Sequence, residues 1–139
     1  MKVYYDYQII LVQRFGGISR YFHEIIARLE YKPEVHPKVR CVGSSNYYFD
    51  EYFTKQHPHI HRLEKKLKKR VSKAINRELT KLDLKHHYDV VHPTYYDPYI
   101  LDMCHYPIVL TVYDMISEIF RESFTDSDRE NKSRMIHAA

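Results

Sequence analysis

The chain has 139 residues, 44% hydrophobic and 29% charged, with a net charge of +4, and it carries 10 His, 14 Tyr, 3 Gly and no Trp. That length suffices for one domain with its own core, and the composition excludes collagen-like, low-complexity or wholly disordered chains. No apolar run approaches the roughly 20 residues of a membrane-spanning helix, and the start lacks a basic-then-apolar leader, so a cytoplasmic location is expected.

Apolar periodicity predicts short strands alternating with longer helices, the pattern of an α/β fold with a mostly parallel, Rossmann-like sheet. Met1 to Tyr5 and Ile9 to Val12 read as a first strand, followed by Phe15-Gly16-Gly17. From Ile18 the apolar residues Phe22, Ile25, Ile26 and Leu29 recur at helical spacing, and the helix ends before Pro33. Val39 to Val42 is a second strand, running into the loop Gly43-Ser44-Ser45-Asn46. The Tyr- and His-rich stretch from Asn46 to His61 reads as irregular. Leu63, Leu67, Val71, Ala74, Ile75, Leu79 and Leu82 then form a helical stripe backed by Lys and Arg. The β-branched runs Tyr88 to His92 and Ile108 to Val112 read as buried parallel strands. Finally, Ser127-Asp-Arg-Glu130 matches a capping box that opens a helix. Met135, Ile136 and Ala139 continue that helix without a stop signal, so the chain is expected to be a fragment of a longer protein.

The charge is concentrated: Ile60 to Lys85 holds ten Lys or Arg against three acids, leaving the rest of the chain slightly acidic. This basic helix admits a solvated face, a seat on an anionic membrane surface for the span Arg62 to Lys85, or a nucleic-acid contact. The last is disfavoured because no nucleic-acid motif accompanies it. Cys41 and Cys104 lack metal spacing and read as buried thiols. His57, His59 and His61 alternate, but Pro58 and the irregular setting argue against a metal centre, and no metal is expected.

Ligands of an open parallel sheet bind beyond the carboxyl ends of its strands. Four segments qualify: Gln13 to Gly17, Gly43 to Ser45, His92 to Tyr96, and Tyr113-Asp114. Gly16 and Gly17 open a helix, where backbone N–H groups favour an anion and Arg14 and Arg20 add positive charge. A plain tight turn is the alternative. Neither GxGxxG nor GxxxxGK[ST] is present, which counts against simple NAD or ATP binding. His92 and Asp114 at strand ends suit hydrogen bonding to a polar ligand or proton transfer, with a structural His92 as the alternative.

Four ordered blocks carry a resemblance across essentially the whole chain. They are Val3-Tyr-Tyr-Asp-Tyr-Gln8, Gln13-Arg-Phe-Gly-Gly-Ile-Ser-Arg-Tyr-Phe22, Tyr88-Asp-Val-Val-His-Pro-Thr-Tyr-Tyr-Asp-Pro98 and Ile108-Val-Leu-Thr-Val-Tyr-Asp-Met-Ile116. Together they resemble the N-terminal domain of a family 4 glycosyltransferase of the GT-B fold. The resemblance implies transfer of a sugar from a nucleotide-sugar donor to a glycan or lipid-linked acceptor, with retention of configuration and no cofactor or metal. It assigns Gly16, Gly17 and Arg14 to the donor diphosphate, and His92, Tyr95 and Tyr96 to the acceptor. Tyr113 and Asp114 fall at the catalytic position, where relatives typically read His-Asp; a tyrosine there can donate a hydrogen bond but is no base near neutral pH. Most donor contacts in that family, including a Glu-x7-Glu pair, come from a C-terminal domain. Glu122 and Glu130 share that spacing but straddle a predicted helix start, so they are given no role. The isolated chain is therefore expected to be inactive, and location at the inner face of the cell membrane is compatible with the basic helix. The competing readings are a non-catalytic module that docks on anionic lipid and a stand-alone nucleotide-binding domain using Gly16-Gly17.

Overall fold

The computed structural model describes residues 1–56, 69–114, 116–119, 122 and 125–139. β1 (Lys2–Tyr5) lies between β2 (His36–Val39) and β3 (Val90–His92), and both pairings are parallel. Lys2 sits opposite His36 and Val3 opposite Val90. With helices packed around this sheet, the chain is an α/β, Rossmann-like domain, as the periodicity predicts.

Successive residues of β1 face opposite ways. The Tyr5 ring meets Phe22 of α2 (Gly17–Leu29) at 6.0 Å, whereas the Tyr4 hydroxyl donates to Thr80 Oγ1 of α4 (Lys69–Asp83) at 3.2 Å. One helix therefore covers each face. Phe22 and Ile26 are wholly buried, as the stripe beginning at Ile18 predicts, and each such burial contributes about 1.5–3 kcal/mol.

Several expectations are corrected. Ile9 to Val12 is not strand but part of α1 (Gln8–Val12). Two side chains start this helix by accepting from its first amides: Asp6 Oδ1 from Gln8 N at 3.3 Å and Thr94 Oγ1 from Ile9 N at 3.1 Å. The second strand lies earlier than predicted, at His36–Val39. Pro37 is tolerated because β2 is the sheet edge, and His36 N, one residue before it, is the group that reaches β1, donating to Met1 O. The irregular reading of Asn46 to His61 fails over its first part, where α3 (Tyr47–Gln56) forms with Asn46 Oδ1 accepting from Tyr48 N and Phe49 N. Residues 57–68, including the alternating histidines and the start of the basic stripe, lie outside the described residues.

The predicted strand Ile108 to Val112 is reduced to one parallel bridge, Ile108 with Val91, flanked by Val91 N→Pro107 O and Val109 N→Val91 O. Beyond it lie a single turn, α5 (Ile116–Ile119), and α6 (Asp126–Ala138), whose cap is Thr125 rather than Ser127. Cys41 is buried and Cys104 half-buried, both as thiols.

The basic helix is turned differently from its apolar pattern. The residues of α4 that face inward are Ser72, Asn76, Thr80 and Asp83, while Val71 and Leu82 are about half exposed. Specific pairings hold this polar stripe: the Asn76 side-chain amide closes both hydrogen bonds of Val42, each at 2.8 Å, and Asp83 pairs with Arg40 at 3.1 Å. Asn76 thereby pairs with Val42 as a neighbouring strand would.

Candidate functional site

The carboxyl ends of β1 and β3 are joined by one buried carboxylate. Asp6 Oδ1 accepts from Thr94 N at 2.9 Å, Thr94 Oγ1 at 2.7 Å and Gln8 N at 3.3 Å; Oδ2 accepts from Gln8 Nε2 at 2.6 Å and the Tyr99 hydroxyl at 3.1 Å. Burial pushes the Asp6 carboxyl upward, and the hydrogen bonds from Thr94 and Gln8 oppose that shift. The Gln8 amide extends the network, since its Oε1 accepts from Asp97 N at 2.7 Å and its Nε2 also donates to Asp97 O. This lattice fixes the loop that carries Tyr95 and Tyr96.

Four of the predicted site residues meet at that loop. Tyr95, Tyr96, Tyr113 and Asp114, with Ile18 and Lys132, line a cavity of about 230 Å³. The Tyr95 and Tyr96 rings lie 5.1 Å apart and the Tyr96 and Tyr113 rings 5.7 Å apart. The Tyr113 hydroxyl donates to Thr94 O at 2.9 Å, and Tyr113 N donates to the Tyr96 hydroxyl at 3.1 Å. Burial raises the Tyr113 hydroxyl far above the ordinary tyrosine range, so it serves as a fixed donor rather than a base. The exposed Asp114 carboxylate accepts from Ile116 N at 3.1 Å.

Lys132 was not legible as a site residue. It is buried on α6, its Nζ donates to Asp114 O, and it stands 5.5 Å over the Tyr96 ring. The sequence offered one faint signal, a Lys on the Met135 side of a helix otherwise polar all round.

The other predicted residues lie apart from this cavity. His92 is only 9% exposed, packs against Tyr5 and Phe22, and pairs Nε2 with Thr111 Oγ1 at 2.9 Å. Burial lowers its pKa to about 4, so the ring is neutral near pH 7. At the glycine pair, the Gln13 side chain folds across Gly16 and its Oε1 accepts from Ser19 N at 3.2 Å. A Cβ at Gly16 would strike that side chain, whereas one at Gly17 would meet open space. The exposed Arg14 guanidinium lies 5.6 Å over the Phe15 ring, which stacks on Tyr47. Among the described residues no three His, Cys, Asp or Glu side chains converge as metal ligands would, and no helix is long and apolar enough to cross a membrane.

The fold and rim define the chain as a Rossmann-like α/β domain with an aromatic, lysine-bearing cavity beyond the carboxyl ends of its strands. No family model, curated protein or solved structure matches it.

Proposed function

We propose that the chain is the acceptor-side domain of a retaining glycosyltransferase of the family 4, GT-B type. The observation that carries this reading is the meeting of Tyr95, Tyr96, Tyr113 and Asp114 around one rim cavity. Tyrosine faces suit the apolar side of a sugar ring, and Asp114 and Lys132 supply charged groups for its hydroxyls. The nucleotide diphosphate of the donor would approach α2 from the open side of Gly17, where backbone amides and Arg14 stabilise negative charge on the leaving group. Half of the catalytic cleft in such enzymes belongs to a second domain. Residues 1–139 alone are therefore expected to bind an acceptor and to transfer no sugar.

Tyr95 is 37% exposed, so its ring can be removed with little effect on the core. Tyr95→Ala is expected to weaken glycan acceptor binding about tenfold, the loss of one stacked ring. Saturation-transfer NMR against an oligosaccharide panel measures this. No saturable glycan binding by the parent chain, or equal binding by Tyr95→Ala, would overturn the acceptor assignment.

A second reading has its own observation in the outward apolar stripe of α4. Val71, Ala74 and Leu82 are exposed on one face with Glu78 between them and with Arg70 and Lys81 beside them, so the cations and apolar groups could seat the helix on an anionic lipid surface. Sedimentation with phosphatidylglycerol-containing vesicles is expected to rise with anionic lipid content, fall with salt, and weaken in Val71→Asp. Binding that ignored lipid charge and salt would remove this reading.

A further inference from the structure

We propose that the cavity between α1, α4 and α6 is a second ligand site, and that it takes a small anionic amphiphile: a phosphate monoester carried on an apolar or aromatic body. The cavity encloses about 570 Å³, the size of a small-molecule site, and lies across Tyr95 and Tyr96 from the Tyr113–Asp114 cavity. Leu11 and Val12 of α1 and the Tyr7 ring form an apolar wall. Val12 is 53% exposed, so its side chain is open to a ligand at this wall.

The charge around this wall is asymmetric. Lys73 is committed to Asp97 at 2.8 Å, and Asp128 accepts from Thr125 Oγ1 at the cap of α6. Lys69 and Arg70, adjacent on the first described turn of α4, have no carboxylate partner among the described residues, and both line the cavity. Two neighbouring cations at the edge of an apolar wall match an acidic headgroup joined to an apolar tail. Tyr7, 2% exposed, backs this apolar wall from the interior.

The test reads contacts at Leu11, Val12 and Asn131, none of which lines the Tyr113–Asp114 cavity, so its outcome is separable from that of the acceptor reading. Chemical-shift titration of residues 1–139 with octyl phosphate, phenyl phosphate, octyl glucoside and inorganic phosphate separates the contributions. One of the two phosphate esters is expected to bind saturably, shifting Leu11, Val12 and Asn131, and to do so about tenfold tighter than octyl glucoside or inorganic phosphate. The tighter ester identifies the body as aliphatic or aromatic. Lys69→Glu/Arg70→Glu and, separately, Val12→Asp alter exposed side chains, and each is expected to weaken that binding about tenfold with an unchanged circular dichroism spectrum. The proposal is overturned if neither ester shifts these residues, if octyl glucoside or inorganic phosphate binds as tightly as the ester, or if both variants bind it like the parent.

Discussion

Asp6→Ala is expected to cost at least about 4 kcal/mol, most of the stability of a domain whose total is about 5–15 kcal/mol. The carboxylate is wholly buried and accepts from Thr94 N, Thr94 Oγ1, Gln8 N, Gln8 Nε2 and the Tyr99 hydroxyl. Alanine would strand these donors in the interior, and a buried donor without a partner costs more than the net gain of the bond it made. Asp6→Asn keeps the shape but turns one acceptor into a donor facing donors, so a smaller loss, about 2 kcal/mol, is expected. Urea unfolding measures both. A shift below about 1 kcal/mol for Asp6→Ala would mean that water replaces the carboxylate and that the network is not what fixes the rim. Because Thr94 precedes Tyr95 and Tyr96, acceptor binding is expected to disappear in this variant before the fold does.

The second large effect is a loss of stability in mild acid through His92. In the unfolded chain this imidazole takes its proton at about the ordinary 6.5, but in the fold only at about 4. Between those values the unfolded state binds more protons, so stability is fully present above 6.5 and is lost as the pH falls toward 4, by about 3 kcal/mol. Asp6 acts in the opposite sense: its raised carboxyl contributes stability that is present below 3.8 and lost as pH rises through its folded value. Since Asp6 is intact in His92→Phe, the difference between the two stability profiles isolates the histidine. His92→Phe keeps the ring stacking with Tyr5 and Phe22, loses the Thr111 hydrogen bond at about 1 kcal/mol near pH 7, and is expected to overtake the parent below about pH 6. Parallel profiles from pH 7 to 4 would show that His92 protonates as readily in the fold as outside it.

The legible parts of this fold are those where side-chain pattern and burial coincide. α2 was readable because Phe22 and Ile26 are both apolar and buried, and β1 to Tyr5 because its residues are covered on both faces. Ile9 to Val12 misled because four aliphatic residues in a row fit a buried strand as well as a buried helix, and the groups that decide, Asp6 and Thr94, are 88 residues apart. In α3 the Asn46 cap and the spacing of Phe49, Tyr52 and Phe53 were present but outweighed by the abundance of Tyr. α4 failed for a different reason. Its inward residues Ser72, Asn76 and Thr80 are small and polar, and their value lies in partners on other elements, which no hydropathy stripe records.

Tyr95 and Tyr96 were accessible as strand-end residues because they follow β3, whereas Tyr113 and Asp114 follow a single bridge at Ile108 and not the strand the pattern predicts. His92 obeyed the same rule and still lies in the packed interior, because its ring turns toward α2. Lys132 was invisible for want of a partner in the sequence: it is tied to a backbone oxygen, Asp114 O, and any residue presents one.

Pro37 has a further effect on how this domain behaves in a crowded solution. His36 N turns inward to Met1 O, and amide direction alternates along a strand, so the position that turns outward next is occupied by a residue with no amide hydrogen. The free margin of β2 is thereby a poor template for another chain, and the exposed His36 and Lys38 add cost to any attempt to dock there. A short parallel sheet must wait for distant segments during folding and is exposed to self-association meanwhile. Pro37 blocks that association at this margin without weakening the sheet, because the hydrogen bond it withholds is one the native fold never makes.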